Sequence, residues 1–213
     1  MKLTKHTHAC VVVESGSTTI LVDPGAFGSE SADLLAAADA VVITHEHFDH
    51  LDVEKIGAAL TARPDLPLYG PPSIAGLIEG HADRITTVTA GDSFSVGDVD
   101  VTVHGERHAV IHADIPVIDN VGYLFGGRIF HPGDSYEVPE ADVEVLLVPI
   151  SGPWMKIGEA ADFIRAVAPR RSIAIHEMLL SDVGKSLADN FLGTDGLTEV
   201  SLEQPTPGTV IEI

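Results

Sequence analysis

Residues 41–52 read Val41-Val42-Ile43-Thr44-His45-Glu46-His47-Phe48-Asp49-His50-Leu51-Asp52. The first four are all β-branched and show no polar alternation, which predicts a strand covered on both faces. The polar turn that follows holds three histidines and an aspartate within six residues. Side chains at the C-terminal end of a strand, in the turn before a helix, converge on one crevice. His45 and His47 are two apart, so in extended backbone they share a face. Two imidazoles on one face hold a single cation, with metal–nitrogen bonds of about 2.0–2.1 Å for zinc. Asp49 and His50, on the turn beyond, are placed to reach a second cation. A solvated polar turn would explain one histidine, but not this density directly after a buried strand.

The rest of the composition limits what such a site serves. The chain has 213 residues, enough for one domain with a sizeable core, and we read residues 1–213 as a single unit. Hydrophobic residues make up 45% of it, an ordinary globular share. Asp and Glu number 32 against 12 Lys and Arg, for a formal net charge of -20. That field repels polyanions, so neither nucleic acid nor an anionic membrane surface is expected as a partner. A small-molecule substrate is expected, and self-association into a homo-oligomer stays open. Cys10 is the single cysteine, so no intrachain disulfide forms. Met1–His6 lacks the apolar stretch of a signal peptide, and no apolar run approaches the roughly 20 residues that span a bilayer. The expected location is the cytoplasm.

Apolar, β-branched runs bounded by Gly, Pro, Asp or Ser predict strands at Ala9–Val13, Thr18–Val22, Ala40–Thr44, Val99–Val103, Val121–Phe125, Val143–Val148 and Ile173–Ile175. Helical patterns fall at Ser31–Ala38 with Ser31 as cap, at Asp52–Ala62, at Ser73–Glu79, at Gly158–Ala168 and at Ser181–Phe191. Together they predict a mixed α+β domain. Thr19-Ile20-Leu21-Val22-Asp23-Pro24-Gly25 is echoed by Arg128-Ile129-Phe130-His131-Pro132-Gly133-Asp134. Both read as a strand running into an acidic Pro-Gly turn, a hint of two related halves.

The segment His45–His50 resembles the His-x-His-x-Asp-His signature of the metallo-β-lactamase-fold hydrolase superfamily. The resemblance covers nearly the whole chain. It takes in Leu21-Val22-Asp23-Pro24-Gly25, a later histidine, Gly133-Asp134 after a strand, and His176 after Ser172–Ile175. It implies a four-layer αββα sandwich with two divalent metal ions at one edge, zinc first, with manganese or iron suited to the same donors. By that resemblance His45, His47 and His108 hold the first metal and Asp49, His50 and His176 the second. Asp134 bridges them, and a hydroxide shared by the metals attacks the substrate. Asp49 and Asp134 are the catalytic carboxylates. His104, His108 and His112 are all candidates for the third ligand of the first metal. The resemblance favours His108, with His112 next or in contact with substrate. His8, Tyr136 and Trp154 are further candidates for substrate contact, and His131 for supporting a ligand.

The same family narrows the reaction. Its β-lactamases lack the bridging aspartate, so Asp134 argues against antibiotic cleavage. The nearest likeness is to the compact bacterial branch that includes ascorbate-6-phosphate lactonase-like proteins. The expected activity is hydrolysis of a small ester, lactone or phosphoester. The alternatives are a mononuclear iron oxidoreductase resembling the sulfur dioxygenases of the fold, and a metal-binding protein without catalysis.

Overall fold

The computed structural model describes residues 1–213. Its first half holds β1 (Lys2–Lys5), β2 (Val11–Ser15), β3 (Thr18–Val22), α1 (Ser31–Ala37), β4 (Ala40–Val42), α2 (Val53–Ala62), β5 (Leu68–Gly70) and β6 (Ile85–Thr87). Its second half holds β7 (Ser93–Val96), β8 (Val99–His104), β9 (Gly122–Phe125), β10 (Ile129–His131), β11 (Val145–Pro149), α3 (Ile157–Val167), β12 (Arg171–Ile175), α4 (Asp182–Leu192), β13 (Leu202–Glu203) and β14 (Thr209–Glu212). The strands form two seven-stranded sheets, in the orders β14-β1-β2-β3-β4-β5-β6 and β13-β12-β11-β10-β9-β8-β7. The last strand thus returns to the edge of the first sheet beside β1.

Alternation along the strands builds three apolar layers. Val11, Val13, Ile20 and Val22 face Val101, Tyr123, Val145 and Leu147 between the sheets. Val12, Leu21 and Val41 point the other way and pack under Leu35 of α1 and Ile56 and Leu60 of α2. On the opposite side Leu146, Val148 and Ala174 lie under Phe163 and Ile164 of α3 and Ala188 and Leu192 of α4. The result is the four-layer αββα sandwich, and Val11–Val13 and Leu146–Val148 are covered on both faces. No helix is long and apolar enough to cross a membrane.

The sequence echo has a topological counterpart. Strands β3 and β10 are each fourth in their sheet. Each pairs antiparallel with the strand before it and parallel with the strand after it. Each then turns sharply, at Asp23 with φ 47° and at Gly133 with φ 65°. A side chain at residue 133 would meet Asn120 Oδ1 at 2.2 Å, so this turn admits only glycine.

Some expectations need correction. Ser31 does not cap α1: the cap residue is Glu30, without a side-chain cap bond, and the Ser31 hydroxyl donates to the carbonyls of Gly25 and Gly28. Ser73–Glu79 forms only a short 3₁₀ turn over Pro72–Gly76. Strand β4 ends at Val42 rather than Thr44, because the Thr44 N–H leaves the ladder to bond the Asp23 carboxylate. Asp52 and Ser181 do cap their helices, accepting from the N–H groups of Lys55 and Gly184.

Leu147 is wholly buried between the sheets, whereas Val210 on edge strand β14 is 54% exposed. Leu147→Ala is expected to lower unfolding stability by about 2–5 kcal/mol. Val210→Ala should change it by no more than about 0.5 kcal/mol. Urea denaturation of both variants checks this.

Candidate metal centre

Every candidate ligand follows the C-terminal end of a strand. His8 follows β1, the cluster His45–His50 follows β4, His108 follows β8, Asp134 follows β10 and His176 follows β12. These ends gather into two adjoining groups, His45, His47, His108 and Asp134 in one and His8, Asp49, His50 and His176 in the other. Within each group the donor atoms lie within 4.8 Å of one another. Asp134 stands between them. Its Oδ2 is 3.4 Å from His108 Nε2 and 3.1 Å from His176 Nε2, while its Oδ1 is 3.2 Å from His50 Nε2.

The bonds behind these groups set which nitrogen of each ring faces inward. Thr44 donates its hydroxyl to Asp23 Oδ2 at 2.7 Å, so at 3.0 Å it accepts from His45 Nδ1, leaving His45 Nε2 unprotonated, 3.1 Å from His47 Nδ1. His50 Nδ1 donates to Asp23 Oδ2 at 2.7 Å, and His108 Nδ1 donates to the Ala109 carbonyl at 2.6 Å. Their Nε2 lone pairs are therefore turned toward Asp134. His8 accepts the Met178 N–H at Nδ1 at 3.4 Å, so its Nε2 carries the proton and donates to Asp49 Oδ2 at 3.1 Å. By this geometry His8 orients Asp49, although it lies in the second group.

The Asp134 turn is held from three sides. Asn120 accepts the Asp134 N–H at 2.9 Å and donates to the Pro132 carbonyl at 2.9 Å. The Trp154 indole donates to Asp134 Oδ2 at 2.9 Å. His131 accepts the Gly133 N–H and faces the Ala9 carbonyl, so it supports the turn rather than a ligand directly. His176 and His8 both take a left-handed φ of 62°, a conformation costly for a residue with a side chain. They are kept there by each other, through the His176 N–H to the His8 carbonyl, and by the Ser151 hydroxyl on the His176 carbonyl. Glu177 accepts the His8 N–H and pairs with buried Lys5 at 3.1 Å.

The electrostatics suit a cation. Burial would raise the carboxyl of Asp134, but the charges of His50 and His176 outweigh it and hold the group well below the usual carboxylate range. Burial would likewise raise the Asp49 carboxyl, but the nearby His176 ring and the bond from His8 outweigh it and hold the group below the usual carboxylate range. His45 is driven far down by burial, with His50 adding to the effect, so it is a neutral imidazole. For His50, burial lowers the pKa but the carboxylates of Asp134 and Asp23 raise it well above the ordinary value. A field that draws a proton to His50 Nε2 draws a metal ion equally. The buried Nε2 atoms of His50, His108 and His176 and Oδ1 of Asp134 have no hydrogen-bond partner. Buried groups of this kind are rarely left unpaired, and lone pairs facing lone pairs are the expected surroundings of a bound cation. The donor set therefore fits metal ions.

Of the residues proposed for substrate contact, His112 is exposed and bonded to the Asp114 N–H, away from both groups. Tyr136 donates to the Pro149 carbonyl and Trp154 to Asp134, so neither polar tip is turned to a ligand. His104 ends β8, beside Thr102, outside both groups. The sequence did not single out Asp23, Asn120 or Glu177 for a role at the site. For Asp23 a signal existed, since its turn echoes that of Asp134.

Asp23→Asn keeps the shape but removes the charge opposite His50. It is expected to weaken metal retention by about 10–100-fold, measured by competition with a chromophoric chelator on folded protein.

Comparison with known proteins agrees with this architecture. Residues 2–176 match the family model described as beta-lactamase superfamily domain. Protein Rv0786c of Mycobacterium tuberculosis is 41% identical over 186 residues, covering 85% of this chain and 86% of its own. A UPF0173 protein of Pyrococcus furiosus is 31% identical, covering 83% of each. Relatives from Shouchella clausii and Carboxydothermus hydrogenoformans carry the name UPF0173 metal-dependent hydrolase. Among solved structures, the metallo hydrolase Igni18 of Ignicoccus hospitalis superposes with a TM-score of 0.72 at 20% identity, over 100% of this chain and 98% of its own. The chain belongs to the beta-lactamase superfamily, among its metal-dependent hydrolases.

Proposed function

We propose that this metal-dependent hydrolase cleaves a small ester, lactone or phosphoester with water, at a centre of two divalent metal ions, zinc first. The observation that carries the reading is the pair of adjoining donor groups, with Asp134 of the one 3.2 Å from His50 and 3.1 Å from His176 of the other. His45, His47 and His108 would hold one ion, Asp49, His50 and His176 the other, with Asp134 between. Bound metal ions in such a centre polarise the scissile carbonyl or phosphoryl oxygen and make water a nucleophile near neutral pH.

The chain's own residues supply the rest. Asp49 is ionised, and its Oδ2 is engaged by His8 and His176. Its Oδ1 is the atom that takes the proton of the attacking water. Trp154 keeps the Asp134 carboxylate from rotating and Asn120 holds its backbone N–H, so the ligand stays preorganised. The net charge of -20 favours a small substrate over a polyanion. Two donor groups speak for a dinuclear centre against the single-iron oxidoreductase reading, and a full donor set speaks against a binding protein without catalysis.

Elemental analysis of protein purified without chelator or histidine tag should give about two equivalents of zinc or manganese per chain. One equivalent of iron, with oxygen consumed, would reject the hydrolase. Asp134→Ala should abolish turnover while circular dichroism and solubility stay those of the wild type. Retained turnover in that variant would remove Asp134 from the mechanism.

A further inference from the structure

The loop from Val110 to Asp119 breaks the usual pattern of the chain: none of its residues is buried. Yet Val110, Ile111, Ile115, Val117 and Ile118 are all large and apolar. Exposed loops are ordinarily polar, and an apolar one that stays uncovered marks a contact surface. Its base is closed by a bridge between Arg107 and Asp119 and by the His108 N–H on the Ile118 carbonyl. The loop therefore springs directly from the ligand His108, and the next residue, Ala109, donates its N–H to the Asp134 carbonyl.

Two further apolar groups flank the ligands. Phe48 lies between His47 and Asp49, its ring against Phe27, which in turn meets His8. Met178 and Leu179 follow His176, and the Met178 N–H bonds His8. Phe48 is 63% exposed, Val110 61%, Ile115 47%, Met178 50% and Leu179 57%. The excess of acids, a formal net charge of -20, disfavours an anionic substrate at this face. Lys5, nearest in sequence to His8, pairs with Glu177, and Arg107, beside His108, pairs with Asp119.

We propose that the substrate is an uncharged carboxylic ester or lactone bearing an apolar group, which loop 109–118, Phe48 and Met178-Leu179 cover. The proposal rests on the hydrolase reading above and narrows it away from phosphoesters. The occupant is a small molecule and not a second chain because all three apolar segments are tied to the donor groups: Phe48 through Phe27 to His8, Met178 by its N–H to His8, and the loop by the Ala109 N–H to Asp134.

The test is a series of p-nitrophenyl alkanoates, acetate to octanoate, beside p-nitrophenyl phosphate, on metal-loaded protein. kcat/KM should rise about two- to fourfold per methylene, with the phosphate slower than the octanoate. The double variant V110S/I115S should flatten that dependence. A chain-length profile that is flat in the wild type, or a preference for the phosphate, overturns the proposal and leaves the hydrolase reading standing. Light scattering that shows a wild-type dimer and a V110S/I115S monomer also overturns it, assigning the loop to an interface between copies. If no ester, lactone or phosphoester is turned over, the hydrolase reading is what fails. Calorimetry still tests the surface in that case: octanoate must bind tighter than acetate, and equal affinities would reject the proposal.

Discussion

One imidazole ties the molecule together. His50 lies between two carboxylates, with Nδ1 2.7 Å from Asp23 and Nε2 3.2 Å from Asp134. Those carboxylates end β3 and β10, the central strands of the two sheets. The two halves of the sandwich are thus joined at their centres through a single ring as well as through an apolar core. Charged groups this deep are unfavourable unless each is paired. The requirement propagates outward: Thr44 must serve Asp23 and His45 together, and Asn120 and Trp154 must hold Asp134. A change at any of these leaves a buried charge with an incomplete set of partners.

That dependence explains what the sequence could reveal. Dense donors after a buried strand are legible because ligand chemistry needs particular residue types at short spacing, and His45–His50 supplied them contiguously. The central strands were legible for a similar reason: runs such as Leu146-Leu147-Val148 must be apolar on both faces. Short strands toward the sheet margins were not, since β1, β5, β6 and β13 span only two to four residues each, too few to display a period. The partners of the ligands were also hidden. Asn120 could not be found, because its role depends on β9 placing it beside a turn 14 residues away in sequence. Trp154 was visible as a sole tryptophan in a Gly-Pro loop, but that setting does not say whether its indole meets a substrate or a carboxylate.

His8 shows how backbone and ligand geometry are coupled. Its left-handed conformation and that of His176 would each be disfavoured alone. Their mutual bond, the Glu177 carboxylate on the His8 N–H and the Lys5–Glu177 pair lock the N-terminal strand to the ligand loop after β12. Burial lowers the Lys5 pKa while Glu177 opposes the shift, so the pair depends on the packing that encloses it. Strand β1 also pairs with the C-terminal strand β14. Both ends of the chain therefore bear on the position of one imidazole, and through it on Asp49.

The charge distribution follows the same logic. The chain carries an excess of acids, and its long-range field favours a cation at a centre whose own carboxylates need one. The field disfavours an anionic substrate approaching the same centre. The apolar rim proposed above would resolve this by offering contact that is indifferent to charge and strengthens with covered area. On the proposed reading, an acidic protein with an apolar mouth would hold cations by electrostatics and select its substrate by shape and hydrophobicity, so that the two functions would not compete.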